Sequence, residues 1–127
     1  MHWMLVTSEF YHLLHAKEYD ETWWCVDKRC KPKDKAFLFK INTGIVLYFE
    51  ILELTEAQPR CKAYGMGTAK IKVINIFRHP ITAKKIKSII TAKAEQFVAK
   101  NFHGKSFMIK HEKTPNVIMS MDNEAGF

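Results

Sequence analysis

The residues with the most evident chemistry stand together in Thr22-Trp23-Trp24-Cys25-Val26-Asp27-Lys28-Arg29. Two adjacent indoles followed by a cationic run suit a flat aromatic ligand carried on a negatively charged backbone. In an extended segment neighbouring side chains point to opposite faces, so one indole can pack into the core while the other stands in a cleft. The pair also fits two purely structural aromatics, because tryptophan is highly buried on average. Metal chemistry is not expected. The gap from Cys25 to Cys30 is too long for a C-x-x-C pattern, and His12 and His15 lack a third ligand nearby. Neither a catalytic residue nor a cofactor is expected, since Cys25, His12 and Ser8 form no recognisable nucleophile, base and orienting group. The odd set Cys25, Cys30 and Cys61 is expected to be reduced thiols.

Charge points to the partner. Lysine and arginine number 20 against 13 acids, a formal net charge of +7. The bases are segregated: Lys28, Arg29, Lys31, Lys33, Lys35 and Lys40 face only Asp34, and a second basic zone runs from Lys84 to Lys113. Acids gather instead at Glu18-Asp20-Glu21 and Glu50-Glu53-Glu56. Two basic zones favour a polyanion such as nucleic acid, although a solvated lysine face has the same composition. With 47% hydrophobic and 26% charged residues over 127 positions, the chain fits one ordinary globular domain. No run of 18 apolar residues is present, so no membrane span is expected. The N-terminus lacks the basic region of a signal peptide, and a cytoplasmic location is the expectation.

The elements that must position these residues follow from periodicity. His2–Thr7 reads as a buried first strand, and Ser8 as the cap of a helix through Ala16 that buries Phe10, Leu13 and Leu14. A charged loop leads into the double tryptophan, and Lys31-Pro32-Lys33-Asp34-Lys35 is a turn. Ala36–Ile41 and Ile45–Leu54 are strands joined by the hairpin connection Asn42-Thr43-Gly44. Gln58-Pro59-Arg60 is a break, Gly65-Met66-Gly67 a loop, and Ala69–Phe77 a strand ended by His79-Pro80. Thr82 caps a helix through Ser88 whose stripe includes Ile86 and Ile89, and Ala92–Phe102 reads as another helix. Phe107–Lys110 is a short strand, and Thr114-Pro115 opens a last helix through Met121. The reading is α+β: one domain over residues 1–121, a tail over 122–127, and a twisted, partly closed, mostly antiparallel sheet flanked by helices.

In this order, five motifs resemble the EVE domain of the PUA-like superfamily, a relative of the YTH domain. They are Trp3-Met4-Leu5-Val6-Thr7-Ser8 closing the first strand, and Trp24-Cys25-Val26, where EVE domains usually have Trp-Gly-Val. Lys31-Pro32-Lys33-Asp34-Lys35 stands where the family has Lys-Pro-Gly-Asp. Gly44-Ile45 opens the strand that ends at Glu50-Ile51, and Phe102-His103-Gly104-Lys105-Ser106 follows the late helix. The departures are Lys33 for the usual glycine of the turn and Cys25 for the glycine after the tryptophan. The resemblance implies a PUA-like pseudo-barrel and a reader of a modified base in DNA or RNA, with the base turned out into an aromatic pocket beside a basic groove.

On that resemblance Trp24 is the base-stacking wall and Trp23 the anchor behind it, with Thr7, Ser8 and Cys25 completing the pocket. A one-residue register shift would swap the two indoles. Lys28 and Arg29 would hold flanking phosphates, and His103, Lys105 and Ser106 phosphates or the base edge. Each has a plainer reading: Ser8 as a helix cap, Lys28 and Arg29 as solvated charges, Trp3, Tyr48, Phe77 and Phe102 as core. Two other functions stay open. The ASCH branch of the superfamily includes amidohydrolases of modified nucleosides, but its Gly-x-Lys-x-x-x-Glu-x-Arg motif is not found in the chain. A module with a vestigial pocket that binds a partner protein is the third.

Overall fold

Two long antiparallel strands form the spine of the structure: β4 (Gly44–Thr55) and β5 (Gly67–Ile81). The computed structural model describes residues 1–89 and 106–124. Within them β1 (His2–Thr7), β2 (Glu21–Val26), β3 (Lys35–Lys40) and β6 (Phe107–Ile109) complete a six-stranded sheet of order β2-β5-β4-β3-β1-β6. Only β1 and β3 run parallel; the other described pairs are antiparallel. A short 3₁₀ turn spans Tyr11–His15, and the helices are α1 (Pro59–Ala63), α2 (Ala83–Ile89) and α3 (Thr114–Glu124). The architecture is α+β with a mixed sheet.

The period-2 alternation of the central strands sorts their side chains to two apolar faces. Ala36 and Leu38 of β3 join Trp3, Leu5, Trp24, Phe49 and Ile71 on the first face. Phe37 and Phe39 join Met4, Ile45, Phe77 and Ile81 on the second, where Ile86 of α2 and Ile118 and Met121 of α3 cover them. A one-residue slip of β3 would swap the small-and-branched pair of one face with the two phenyl rings of the other. Close-packed interiors do not absorb such a volume change, so the register is fixed. The indole of Trp3 donates to the buried Asp34 carboxylate at 3.0 Å, and the same oxygen takes the Lys31 N–H at 3.0 Å, tying the Lys31–Lys35 turn to β1. Lys33 holds φ of +75°, the left-handed region that a glycine in this turn would occupy.

The β4–β5 ladder shifts register between Ile45 and Leu47, between Tyr48 and Phe49, and between Ile51 and Glu53. Such irregularities bend and twist a strand pair. Although three strands separate β1 from β2 in the sheet, the ends of both border a common gap. No hydrogen-bonded closure bridges that gap among the described residues: β2 and β6 are the two sheet edges. The partial closure expected from the sequence is therefore absent as a ladder.

Several elements differ from expectation. The helix expected over Ser8–Ala16 is only the 3₁₀ turn, started by Tyr11 with φ of +40°, so Leu13 is buried while Leu14 is 59% exposed. Ser8 caps nothing; the residue before that turn is Phe10, with no side-chain cap bond. The break at Gln58-Pro59-Arg60 is the start of α1, with proline in the first turn where its missing N–H costs nothing. β5 runs through His79-Pro80 to Ile81, because Ile45 pairs with Ile81 while Leu47 pairs with Ile76. The intervening residues bulge out of the ladder, a position that tolerates proline. α3 continues past Met121 to Glu124, and Asp122 within it accepts from Asn75 Nδ2 at 3.0 Å and the Arg78 N–H at 3.2 Å. The expected helix Ala92–Phe102, the Ile89 side chain and residues 125–127 lie outside what the structure describes.

Candidate functional site

A cavity of about 550 Å³ opens at the gap between the ends of β1 and β2, within the usual range for ligand pockets. Leu5, Val6, Thr7 and Ser8 bound one side, and Trp24, Cys25, Asp27, Lys28 and Arg29 another. Tyr11, Ile41, Arg60, Tyr64, Gly65, Met66 and Ser106 close the rest. Of the residues expected at a site, Thr7, Ser8, Trp24, Cys25, Lys28, Arg29 and Ser106 are brought together on this cavity. Trp23 is not on its wall, and His103 and Lys105 lie outside the described residues.

Trp24 is only 4% exposed, since most of its ring belongs to the first core face. Its strand fixes it: Trp24 pairs with Ala69 of β5, whose small side chain leaves room for an indole. Tyr11 is 44% exposed and stands 6.0 Å from Trp24, the rings inclined at 45°. The positive φ of Tyr11 turns its ring back over the cavity instead of along a helix. His12 lies against both indoles, with centroids 4.7 Å from Trp23 and 5.7 Å from Trp24. Its Nε2–H donates to the Trp23 carbonyl at 2.8 Å, locking the edge strand at that point.

The wall is cationic. Arg29 donates through Nε and Nη2 to the two oxygens of Asp27 at 3.0 and 3.1 Å, a bidentate pair, while its guanidinium carbon stands 5.2 Å over the Trp3 ring. That hydrogen bonding holds the Asp27 carboxyl below the usual range, with burial pulling the other way. The Arg60 guanidinium carbon stands over the Tyr11 ring, 3.9 Å from its centroid, and 5.8 Å from that of Trp23. Lys28, Arg29 and Arg60 thus outnumber Asp27 on the cavity surface. The Thr7 hydroxyl donates to the Glu9 carbonyl and accepts the Glu9 N–H at 3.3 Å, so its hydrogen is already engaged locally.

The cysteines correct the sequence expectation. Cys25 of β2 and Cys61 of α1 form a disulfide with Cα atoms 5.3 Å apart, inside the usual span for such a bridge. Counting could not reveal this: Cys25 pairs across to Thr68, and α1 packs just before β5, so the fold brings together residues 36 positions apart. Cys30 remains a buried thiol, pushed up to about 12 by burial. Among the described residues no set of three or more His, Cys, Asp or Glu side chains is placed to hold a metal ion. No helix among them is long and apolar enough to cross a membrane.

Sequence reasoning missed Tyr11, Arg60, Tyr64 and Met66. The signal that could have found the last three is the Cys25–Cys61 pair, which carries α1 and the loop after it to the tryptophan strand.

No protein-family model and no curated protein matches the chain. Solved structures do resemble it. The crystal structure of protein PSPTO5229 from Pseudomonas syringae superposes with a TM-score of 0.66 at 14% identity, covering 96% of this chain and 99% of that one. The NMR structure of Rpa0253 from Rhodopseudomonas palustris gives 0.67 at 18% identity, covering 96% and 92%. At these identities the likeness is one of fold.

Proposed function

We propose that the protein is an EVE-like member of the PUA-like superfamily, a non-catalytic module that takes a modified base of DNA or RNA into the cavity beneath Tyr11 and against Trp24. One observation carries this reading: Thr7, Ser8, Trp24, Cys25, Lys28, Arg29 and Ser106, singled out in the sequence from distant motifs, border a single cavity. The departure at Lys33 does not count against it, because Lys33 holds a positive φ, a backbone conformation that glycine adopts readily. Turning a base out of its stack costs a few kcal/mol, least in a single strand. Stacking on an aromatic ring returns about 1–3 kcal/mol per base, and an apolar methyl adds roughly 25 cal/mol for each Å² it buries. Trp24 and Tyr11 supply the rings, and Trp23 with His12 braces the strand from outside.

Lys28, Arg29 and Arg60 suit the flanking phosphates, which fix register without reading sequence.

The test is fluorescence anisotropy with single-stranded oligonucleotides, plain and carrying one modified base, at two salt concentrations. Wild type is expected to prefer a modified strand and to weaken as salt rises. Lys28→Ala should lower the salt slope by about one without changing the preference. Equal affinity for every modified and plain strand would overturn the pocket assignment, and no binding at low salt would overturn the nucleic-acid reading.

A further inference from the structure

We propose that the Cys25–Cys61 disulfide is a redox latch on the cavity: reduction releases α1 and withdraws the Arg60–Tyr64 wall. The latch acts on the same cavity as the proposed base site, and its control of ligand binding rests on that reading. α1 is five residues long, far too short to be stable by itself. Its N-cap residue, Gln58, makes no side-chain cap bond; the Gln58 N–H to Thr68 Oγ1 bond, 2.9 Å, is its polar tie to β5. The bridge is the covalent tie that remains, and it joins one cavity-lining residue, Cys25, to the helix that presents Arg60. Arg60 in turn lies over Tyr11 and Tyr64 follows the helix, so a movement of α1 reshapes the aromatic and cationic walls together.

The chemistry needs a dithiol reductant. Cys25 is 8% exposed and lines the cavity, whereas Cys61 is 0% exposed, so the attacking thiolate reaches the Cys25 sulfur. The S–S bond breaks, a mixed disulfide forms on Cys25, and Cys61 leaves as a thiolate. The second thiol of the reductant then displaces Cys25, and both cysteine thiolates are protonated. The reductant has lost two electrons and two protons and is a cyclic disulfide. Two thiols must stand at van der Waals distance instead of bonding distance, so the buried Cys61 backs away and carries α1 with it. Cys30 takes no part: it is buried, and its thiol is held in the protonated, unreactive form.

The experiment records backbone amide NMR spectra of the whole protein, oxidised and after dithiothreitol, and titrates each form with a modified single-stranded oligonucleotide. Reduction is expected to shift residues 58–66 and Tyr11 while β3 and β4 signals stay, and to weaken oligonucleotide binding about tenfold, the scale of one lost stacking contact. The Cys25→Ala/Cys61→Ala protein should reproduce the reduced spectrum and no longer respond to dithiothreitol. Unmoved signals at 58–66, collapse of the whole spectrum on reduction, or equal affinity of the two forms despite the shifts would each overturn the latch. Shifts confined to α1 with no binding in either form would uphold the opening of the wall and sink the nucleic-acid reading instead.

Discussion

Gly44 and Gly65 offer a paired test of the backbone that carries the site. Both hold positive φ, +128° at Gly44 and +69° at Gly65, and both are to be replaced by alanine. An added Cβ at Gly65 meets nothing within 4 Å, so Gly65→Ala feels only the left-handed backbone, a cost of roughly 1–2 kcal/mol. At Gly44 the new Cβ would stand 2.5 Å from the Ile81 carbonyl oxygen and 2.7 Å from its carbon. These are backbone atoms at the paired end of β5, held by the Ile45–Ile81 pairing, and they cannot swing aside like a side chain. Overpacking adds about 1–3 kcal/mol to a backbone penalty of similar size, for a total of about 2–6 kcal/mol. With an unfolding entropy near 2.1 cal/mol/K for each of 127 residues, the melting temperature falls by about 8–22 °C for Gly44→Ala and about 4–7 °C for Gly65→Ala. Circular dichroism melts and urea titrations of the two variants make the comparison. Equal losses would show that Ile81 yields to the methyl group and that the close β4–β5 approach is not what requires glycine.

Three further perturbations separate packing from binding. Trp24→Ala should cost about 3–5 kcal/mol in urea unfolding because the indole is core as well as wall, whereas Tyr11→Ala should stay within about 0.5 kcal/mol. Tyr11 is therefore the cleaner probe of the cavity. Asp34→Ala leaves the buried Trp3 indole N–H without its acceptor, and about 1–3 kcal/mol should be lost. Acid titration of stability offers a companion test. Burial pushes the Asp34 carboxyl up, but the Trp3 indole, the Lys31 N–H and the terminal ammonium together outweigh it and set the value below 3.8. A lowered carboxylate contributes stability that is fully present above the unfolded value and lost as pH falls through the folded one. Wild type should therefore lose stability below pH 3.8 more steeply than Asp34→Ala, and parallel profiles would contradict the assignment.

The strands were legible in the sequence because alternation marks them. β1 matches the expected His2–Thr7, and β4 differs from the expected Ile45–Leu54 by one residue at each end. What alternation cannot carry is pairing, so neither the parallel β1–β3 contact nor the bulge that lets β5 pass Pro80 was visible. Ser8 at a strand end and an apolar triad at helical spacing read as a capped helix. Tertiary placement of Tyr11 in a positive-φ conformation overrode that local signal. The near half of the cavity was accessible to sequence reasoning because Thr7 with Ser8, and Trp24 through Arg29, each lie contiguous in the chain. Arg60 and Tyr64 were hidden because they reach the cavity only through α1 and a bridge spanning 36 positions.

The three tryptophans supply the most direct measurement. Indole Nε1–H signals are to be assigned by substituting each tryptophan with phenylalanine in turn, then followed while a single-stranded oligonucleotide with one modified base is added. Trp24 alone lines the cavity, Trp3 is buried with its N–H on Asp34, and Trp23 packs on His12 outside it. A large, saturable shift at Trp24, a small one at Trp23 and none at Trp3 is the predicted result. A shift centred on Trp23 with Trp24 unmoved, or no indole response at a concentration where anisotropy reports binding, would place the ligand elsewhere and contradict the account.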